Sequence, residues 1–475
     1  MAVNLNGPLT ATTAAGDDAI MLDELQPNIL KGHVRDHLSV LFLHLDDQAD
    51  AKTFLGALVA LMKSAKTHLD EVEAFKTTGT PGTPYVGVGL SKAGYDLLGI
   101  AAAPADSSFT RGMKDPDSRQ TLTDPPLSVW EAPYREDIHT VVLIGDTADA
   151  AVSTRREEVL ALLPDSATVV GEETGLSQRN EHGDGIEHFG YIDGRSQPLF
   201  LTEDIDIERD SNDGTNVWDP AFPLSRVLVA DPAAPDPNLH FGSYFIFRKL
   251  EQNVRRFKQA EEDLADALQL VDEDRERAGA MLVGRFEDGT PLTLQNDDGA
   301  HHPIMNNFTY DSDIHGAKCP FQGHIRKTNP RGSGGPQSPA DERLHLMARR
   351  GQTYGDRADV PFDDAVPPRA RPTGGVGLLF MAFNANINIQ DDFGLSQFDF
   401  TQAVWANNPG FPQVPANTPA PGLDPVIGQG PRPTQTYPTQ WGGTQTQQVD
   451  AIAQAVRMLG GEYFFMPSLA FLRNL

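Results

Sequence analysis

The stretch Leu38-Ser39-Val40-Leu41-Phe42-Leu43-His44-Leu45 is apolar at almost every position, which is typical of a strand buried on both faces. Asp46-Asp47 follow it and offer side-chain oxygens that cap a helix. Apolar residues then recur at helical spacing from Phe54 to Met62. The pattern predicts a strand that leads into an amphipathic helix.

A similar pattern returns about two hundred residues further along the chain. Tyr244-Phe245-Ile246-Phe247 predicts a buried strand, and an apolar stripe at positions 250, 254, 257, 264 and 268 predicts a helix that begins near Leu250. Further strands are predicted at Thr140–Ile144, Val376–Phe383 and Tyr463–Met466. Because these segments lack the regular alternation of a parallel sheet, we expect an α+β fold with antiparallel sheets, and the recurrence is consistent with two similar halves.

The chain has 475 residues, more than one hydrophobic core usually organises, so we expect two domains or one domain of duplicated halves. Polar residues and glycines at Glu172–Asp184 suggest a boundary, which gives domains at residues 1–180 and 181–475. Pro- and Gly-rich stretches at Arg331–Pro339 and Asn408–Pro433 are interpreted as loops that wrap a site or lie on the surface.

The chain carries 66 acidic and 38 basic residues, a formal net charge of −28, which argues against nucleic acid and anionic membranes as partners. No apolar run is long enough to cross a bilayer, and no export signal is visible. Cytoplasmic residence is therefore the default expectation, with extracellular release left open. Cys319 is the only cysteine, which excludes internal disulfides, cysteine-rich zinc sites and iron–sulfur clusters, and means that any haem is held non-covalently.

The first motif is Gly190-Tyr191-Ile192-Asp193-Gly194. An aspartate between glycines is most often a turn residue, because its side chain bonds to nearby backbone and glycine tolerates positive φ. The neighbouring Phe189, Tyr191 and Ile192 favour a second interpretation, since a carboxylate in an apolar setting can shuttle protons.

The second motif is the segment Cys319–Arg331, in which His324 lies close to Arg326, Lys327 and Arg331. So many cations around one histidine are unusual in an acidic chain, and a dianionic ligand would explain them. Haem is such a ligand, because its iron binds a neutral imidazole and its two propionates need cations. The alternative is a basic loop that pairs with local carboxylates.

The third motif is Arg349-Arg350-Gly351-Gln352-Thr353-Tyr354-Gly355. A fixed guanidinium is the group that an oxyanion developing on peroxide would need. Paired arginines taken alone are usually surface residues.

Together, the three motifs closely resemble the dye-decolourising peroxidase family, and in particular its longer members. The resemblance extends from Leu25–Gly32 to Gly460–Pro467, and so covers most of the chain. It implies two ferredoxin-like halves of the dimeric α+β barrel type, each with an antiparallel sheet and peripheral helices. It also implies non-covalent haem b, held mainly by the C-terminal half.

The resemblance assigns roles to individual residues. Asp193 is expected to be the distal acid, Arg349 the distal cation and His324 the axial ligand of the haem iron. Asp399 is expected to be the carboxylate partner of His324 Nδ1–H, which would give the imidazole anionic character.

Four further residues are expected to bind the cofactor. The basic residues Arg326 and Arg331 are expected to meet the propionates. Leu378 and Phe380 resemble the family's distal apolar lining.

The implied function is reduction of hydrogen peroxide with oxidation of bulky aromatic donors such as dyes, phenols and lignin-like compounds, in a monomer or homo-oligomer. Electrons could reach the haem from aromatic residues nearer the surface, for which Trp405, Tyr354 and Tyr437 are candidates.

Several alternatives remain open at this point. The main one is a haem-binding or iron-handling protein with incidental peroxidase activity, and a second is a chlorite dismutase-like enzyme. Others are Cys319 as a thiolate ligand and a non-haem metal site at His301-His302 or at His182 with His188.

An acid-dense region suggests a second metal site. Glu261 interrupts the apolar stripe of the second helix, and Glu276 and Glu287 follow it. Some members of the family oxidise Mn²⁺, and clustered carboxylates are ligands that this cation accepts. These three glutamates are the predicted Mn²⁺ site, and an exposed helix edge is the alternative for Glu261.

Overall fold

The computed structural model describes residues 3–212, 214–299, 304–333, 338–363, 365–388 and 422–475. The strands are β1 (His37–Leu45), β2 (Tyr85–Leu90), β3 (Thr140–Asp146), β4 (Ala167–Leu176), β5 (Gln178–Arg179), β6 (Gly185–Ile186), β7 (Val229–Ala230), β8 (Phe241–Gln252), β9 (Ala348–Arg349), β10 (Gln352–Tyr354), β11 (Gly377–Asn384), β12 (Gln435–Pro438), β13 (Thr446–Val449) and β14 (Val456–Met466). The α-helices are α1 (Asp17–Glu24), α2 (Gln48–Leu58), α3 (Ala65–Thr78), α4 (Lys92–Leu97), α5 (Ser107–Arg111), α6 (Pro116–Thr121), α7 (Asp149–Ala161), α8 (Thr202–Asp210), α9 (Val254–Ala267), α10 (Glu276–Val283), α11 (His324–Thr328), α12 (Pro339–Glu342) and α13 (Leu469–Arg473).

The main strands form one sheet in the order β10-β11-β8-β14-β2-β3-β1-β4, and every neighbouring pair is antiparallel. The first four strands of the chain lie together on one side, and the later strands lie on the other. The two groups meet at β14 and β2, where Phe465 pairs with Leu90. The prediction of an α+β fold with antiparallel strands is confirmed, with the strands of both halves joined in one sheet.

The outer strands β4 and β10 approach each other, which bends the sheet towards a barrel. Thr353 Oγ1 donates to the carbonyl of Leu176, and Gln352 Nε2 donates to the carbonyl of Asp36 over 2.7 Å. A Cβ on Gly175 would lie 3.2 Å from Gln352 Cγ, so the absence of a side chain there allows the close approach.

Aromatic side chains from both halves pack inside this curved sheet. Phe42 of β1 lies edge-on to Phe247 of β8 with 4.8 Å between ring centroids, and edge-on to Tyr134 at 5.4 Å. Phe464 of β14 stacks near Phe42 at 6.5 Å. All four rings are buried, so the two halves share one hydrophobic core.

The second long helix begins later than predicted. Leu250 belongs to β8, where it pairs with Leu378 and Met458, and the strand continues to Gln252. The helix α9 begins at Val254, after Asn253 has capped it by accepting a hydrogen bond from the backbone N–H of Arg256 over 3.0 Å. The predicted helical stripe wrongly included Leu250, because a buried leucine at the end of a strand also fits the 3.6-residue spacing of a helix.

The domain boundary near residue 180 stays a prediction. Among the helices that the structure describes, none has both the length and the apolar character required to span a bilayer.

Candidate active site

The Gly190–Gly194 motif forms a tight loop that is organised by one buried carboxyl group. Glu187 Oε2 accepts from the backbone N–H of Phe189 over 2.9 Å, and Oε1 accepts from that of Tyr191 over 3.0 Å. Two backbone hydrogen bonds of Glu187 close the same loop. Its N–H donates to the carbonyl of Tyr191, and its carbonyl accepts from the N–H of Gly190, each over 3.0 Å. Four hydrogen bonds to one residue therefore set the shape of the segment that carries Asp193.

Glu187 is a residue that sequence reasoning missed. Burial raises the pKa of Glu187 to about 7, although the N–H donors of Phe189 and Tyr191 act against the shift. Gln252 Nε2 donates to Glu187 Oε2, while the buried Gln252 Oε1 has no partner within the described part of the chain. The sequence offered no periodicity or spacing that distinguishes this glutamate from a surface one.

Asp193 and Arg349 come together as predicted. Arg349 Nη1 lies 3.3 Å from Asp193 Oδ1, and both side chains are partly exposed, at 31% and 39%. Arg349 is oriented by a second bond, from Nη2 to the carbonyl of Arg195 over 2.9 Å, and its backbone N–H donates to Gln197 Oε1. The carboxylate and the guanidinium are therefore both held, and both remain accessible.

His324 begins the short helix α11. Its side chain lines a cavity that Asp193 and Arg349 also line. Its Nδ1 lies 2.7 Å from Oδ2 of Asp424, which is fully buried. Asp424 Oδ1 accepts from the backbone N–H groups of Val426 and Ile427 over 2.8 and 3.0 Å. No partner for His324 Nε2 is found in the part of the chain that the structure describes, so this nitrogen is available to a ligand.

The charge on Asp424 is stabilised by its surroundings. Burial alone would raise the pKa of this carboxyl, but the interaction with the His324 ring, the ammonium of Lys327 and the backbone N–H donors outweigh it, so the pKa lies below its usual range. An ionised carboxylate at this point holds a proton on Nδ1 and leaves the lone pair of the imidazole on Nε2.

The cavity that Asp193, Arg349 and His324 line has a volume of about 230 Å³, and we call it the Asp193 cavity. Its polar groups include Asp193, Arg349, His324 and Asn329. Apolar side chains supply most of the remaining wall: Leu250, Val283, Ile325, Leu346, Met347, Leu378, Phe380, Val426, Ile427 and Val456. The structure thus places Leu378 and Phe380 in the wall of the cavity that Asp193 and Arg349 line.

Comparison with known proteins identifies the family. A model described as the DyP dimeric alpha+beta barrel domain matches residues 24–178. The chain is 62% identical over 476 residues to the multifunctional dye peroxidase DyP2 of Amycolatopsis sp., with 100% of both chains covered. The chain belongs to the dye-decolourising peroxidase family. A solved structure of that DyP2 superposes with a TM-score of 0.95 over 100% of both chains at 61% identity.

Other dye-decolourising peroxidases are similar at lower identity. The structure of the Anabaena sp. DyP-type peroxidase has a TM-score of 0.87 at 35% identity, covering 98% of this chain and 96% of that one. Family membership confirms the predictions of a dimeric α+β barrel fold and of a dye-decolourising peroxidase. Peroxidases of this family are haem enzymes, so the family implies haem for this chain.

The residues of the cavity fit a haem. Its lining combines an imidazole with an available Nε2, a largely apolar wall and the guanidiniums of Arg285 and Arg349, which suits a flat, largely apolar ring that carries an iron and two carboxylates. Asn329 Nδ2 is a buried donor in this wall that has no partner among the described residues, and a propionate oxygen would satisfy it. Arg285 also lines the cavity, and burial lowers the pKa of its guanidinium to about 10, which an anionic ligand would reverse.

The carboxylate partner of His324 is corrected by the structure. Asp399 was expected there, but it lies outside the described residues, and the Nδ1 position is taken by Asp424. The 100 residues between His324 and Asp424 explain why sequence context did not identify the pair. Asp424 does belong to the Pro- and Gly-rich stretch Asn408–Pro433, whose described part contributes Val426 and Ile427 to the cavity.

The expected propionate ligand Arg326 is committed elsewhere. Its guanidinium lies 2.8 Å from Asp313 Oδ2 and also donates to the carbonyl of Cys319, and both members of the ion pair are buried. Arg326 does not line the cavity. The alternative of a basic residue pairing with a local carboxylate therefore applies here, because a buried guanidinium needs a buried anion.

Arg331 lies one layer behind the cavity wall. It donates to the carbonyls of Asn306 and Phe308 over 2.6 and 2.9 Å, and to Ser196 Oγ over 2.7 Å. Ser196 itself lines the cavity. Arg331 therefore supports a cavity residue rather than facing the cavity, and direct contact with a propionate is not what its geometry indicates.

Two ligand alternatives lose support. Burial raises the pKa of the Cys319 thiol to about 12, so a thiolate is disfavoured. His188 Nε2 is paired with the carbonyl of Tyr354 over 2.8 Å, while His301-His302 lie outside the described residues. Tyr354 and Tyr437 are both buried, which corrects their description as aromatics near the surface, and Trp405 lies outside the described residues.

The three glutamates predicted to bind Mn²⁺ lie around a buried lysine. Lys258 Nζ is 3.1 Å from Glu261 Oε2 and also contacts Glu287, while Tyr191 donates to Glu261 Oε1 over 2.5 Å. Glu276 and Glu261 line a second cavity of about 130 Å³. In the described ranges, no group of three or more His, Cys, Asp or Glu side chains is arranged to hold a metal ion. The single ammonium group of Lys258 is thus shared between two of these carboxylates.

Proposed function

We propose that this chain reduces hydrogen peroxide at a haem held in the Asp193 cavity and thereby oxidises aromatic donors. The observation that carries the proposal is the shared cavity: Asp193 and Arg349, 3.3 Å apart, line the same space as His324. Relatives described as dye peroxidases support the choice of donor. Two electrons and two protons convert each peroxide into two waters, so two one-electron donors are consumed per turnover.

The distal pair supplies the proton chemistry. Haem, when bound, supplies the iron and the redox capacity. Asp193 accepts a proton from one peroxide oxygen and returns it to the other, so that the departing oxygen leaves as water. Arg349 stabilises the negative charge that develops as the O–O bond breaks, because its guanidinium is already oriented by Arg195 O.

His324 and its neighbours in the cavity lining would hold the cofactor. His324 Nε2 would hold the haem iron, and Asp424 keeps the proton on Nδ1 and lends the ring anionic character. Asn329 Nδ2 would hold a propionate oxygen, and the buried guanidinium of Arg285, which lines the cavity, would supply positive charge near the propionates.

The decisive experiment is rapid mixing of haem-loaded protein with stoichiometric peroxide. Asp193→Asn should slow the spectral change by about 10²- to 10⁴-fold, because positioned proton transfer is worth that much. Asp165→Asn, in the loop between α7 and β4, is the matched control and should react like the parent protein. A parent protein that binds haem without reacting would favour the alternative of a haem-binding or iron-handling protein.

Oxidation of Mn²⁺ is a second candidate function. It is favoured by Glu261, whose pKa burial raises to about 7, which marks a carboxyl that lacks sufficient positive charge nearby. Binding would require the ammonium of Lys258 to move away from Glu261 and Glu287. Saturable Mn²⁺-dependent turnover that Glu276→Gln abolishes and Glu273→Gln preserves would support this function, and unsaturable or absent turnover would remove it.

A further inference from the structure

A groove of about 800 Å³ runs along helix α9, outside the Asp193 cavity. The helix forms one wall, residues 448–453 form the second, and Arg369 and Thr373 stand at one end. We call this feature the α9 groove. Its volume suits a drug-sized molecule.

The α9 groove concentrates positive charge on a strongly acidic protein. Arg255, Arg256 and Arg369 line it, against the two aspartates Asp263 and Asp450. The chain as a whole has a net charge of −28, so this local excess of positive charge is unusual, and it would attract anions.

The three arginines are not neutralised by neighbours. Arg255 Nε donates to the carbonyl of Arg371 and Arg256 Nη1 to that of Gln454, both of which are uncharged acceptors. Within the described ranges, no carboxylate forms an ion pair with Arg255, Arg256 or Arg369. Exposed guanidiniums of this kind bind sulfonate or carboxylate groups and also stack on aromatic rings.

The floor of the groove is apolar. Ala260 and Leu264 of α9 and Val449 and Ile452 of the facing segment contribute to it, and all four are buried. An apolar floor beneath a cationic rim matches a flat aromatic molecule that carries an acidic substituent.

The groove and the Asp193 cavity are lined by consecutive residues of the same chain segment. Gln252 lines the cavity and the next residue, Asn253, lines the groove. Across the sheet, Val456 of the cavity pairs with Gln252, and Asn253 N donates to the carbonyl of Ala455 over 2.7 Å. A molecule in the groove therefore lies close to the cavity without entering it.

We propose that the α9 groove binds anionic aromatic reductants, such as sulfonated or carboxylated phenols and naphthols, and passes their electrons through the Gln252–Val456 wall. This inference rests on the proposed peroxidase function. Each donor loses one electron and, if phenolic, one proton, so two donors supply what one peroxide needs to become two waters. Bulky donors thus need no access to the Asp193 cavity.

The test compares 6-hydroxynaphthalene-2-sulfonate with 2-naphthol, which share a ring system and differ in the sulfonate. Binding to the haem-loaded protein is measured by equilibrium dialysis and oxidation by steady-state kinetics. Arg369→Glu should raise both Kd and KM for the sulfonate about five-fold, which corresponds to ~1 kcal/mol for one exposed charge contact. The same variant should leave 2-naphthol oxidation and the reaction with peroxide unchanged.

Two further variants complete the test. Arg111→Glu introduces the same charge change at an exposed site outside the groove and should leave the Kd of the sulfonate unchanged. Ala453→Trp narrows the groove without changing its charge and should weaken sulfonate binding. The proposal is overturned if Arg369→Glu weakens sulfonate binding no more than Arg111→Glu, or affects 2-naphthol equally. Because dialysis needs no turnover, an inactive parent protein would count against the proposed function and leave this binding result decisive.

Discussion

Glu187 shows how one buried residue links the catalytic loop to pH. Its carboxyl accepts the N–H groups of Phe189 and Tyr191, and burial raises its pKa to about 7 from 4.5. Between these two values the folded state keeps a proton that the unfolded state has lost. The stability that this proton contributes is therefore complete below pH 4.5 and is lost as the pH rises through 7.

We expect Glu187→Gln to remove this dependence. The free energy of unfolding of the parent protein, relative to Glu187→Gln, should fall by ~2 to 3 kcal/mol between pH 5 and pH 8. Urea unfolding of the haem-loaded proteins at both pH values measures it, with Glu273→Gln as an exposed control. Parallel pH profiles for the parent and Glu187→Gln would show that the carboxyl does not titrate in this range.

Asp424 fixes the orientation and the proton of His324, the residue proposed to hold the haem iron. It holds His324 Nδ1 over 2.7 Å, and such partners of metal-binding histidines are worth about 10- to 100-fold in metal affinity. Asp424→Asn should therefore accelerate haem loss by a factor in that range, as measured by transfer of haem to an excess of an apo haem protein. Asp399→Asn is the informative comparison, because equal or faster loss there would contradict the assignment of Asp424.

At the level of the element, the loop that carries Asp193 depends on a glycine with little space around it. Gly190 has φ of +105°, and a Cβ there would lie 3.0 Å from the Glu287 carboxylate. Gly183 also has a positive φ, of +86°, but no atom lies within 4 Å of a Cβ at that position. An alanine would have a strained backbone at either position, but its Cβ would also crowd another side chain only at position 190.

Gly190→Ala should displace the loop and slow the reaction with peroxide more than ten-fold while haem is retained. Gly183→Ala should cost ~1 kcal/mol of stability through strain and leave the peroxide rate close to that of the parent. Stopped-flow rates and urea unfolding of both variants measure the difference. If the rate of the reaction with peroxide falls by the same factor in both variants, backbone strain rather than the contact with Glu287 determines the position of the loop.

At the scale of the whole molecule, stability depends on the core that the two halves share. Phe42 of the first half contacts Phe247 and Phe464 of the second half and is fully buried. Phe42→Ala should lower the free energy of unfolding by ~3 to 5 kcal/mol, because it leaves a cavity at this junction. Thermal unfolding should remain a single transition, whereas Phe75→Ala, at a residue 61% exposed, should have little effect. Two separate transitions would show that the halves unfold independently.

Local patterns were the most informative part of the sequence. The apolar run at Leu38–Leu45 predicted β1 correctly, because burial on both faces leaves a continuous hydrophobic signal. The same logic misplaced the start of α9, since Leu250 satisfies both a strand and a helical stripe. Asp193, Arg349 and His324 were found because each lies in a motif whose residues are close in the chain.

By itself, the sequence determined the α+β class, the family and the three residues Asp193, His324 and Arg349 that share the cavity. Only the tertiary structure decided which charges meet. It paired His324 with Asp424 and committed Arg326 to Asp313. The physical reason is that hydrophobic periodicity and turn chemistry act between chain neighbours, whereas the partner of a charge depends on distance and burial in space, which the order of residues does not contain.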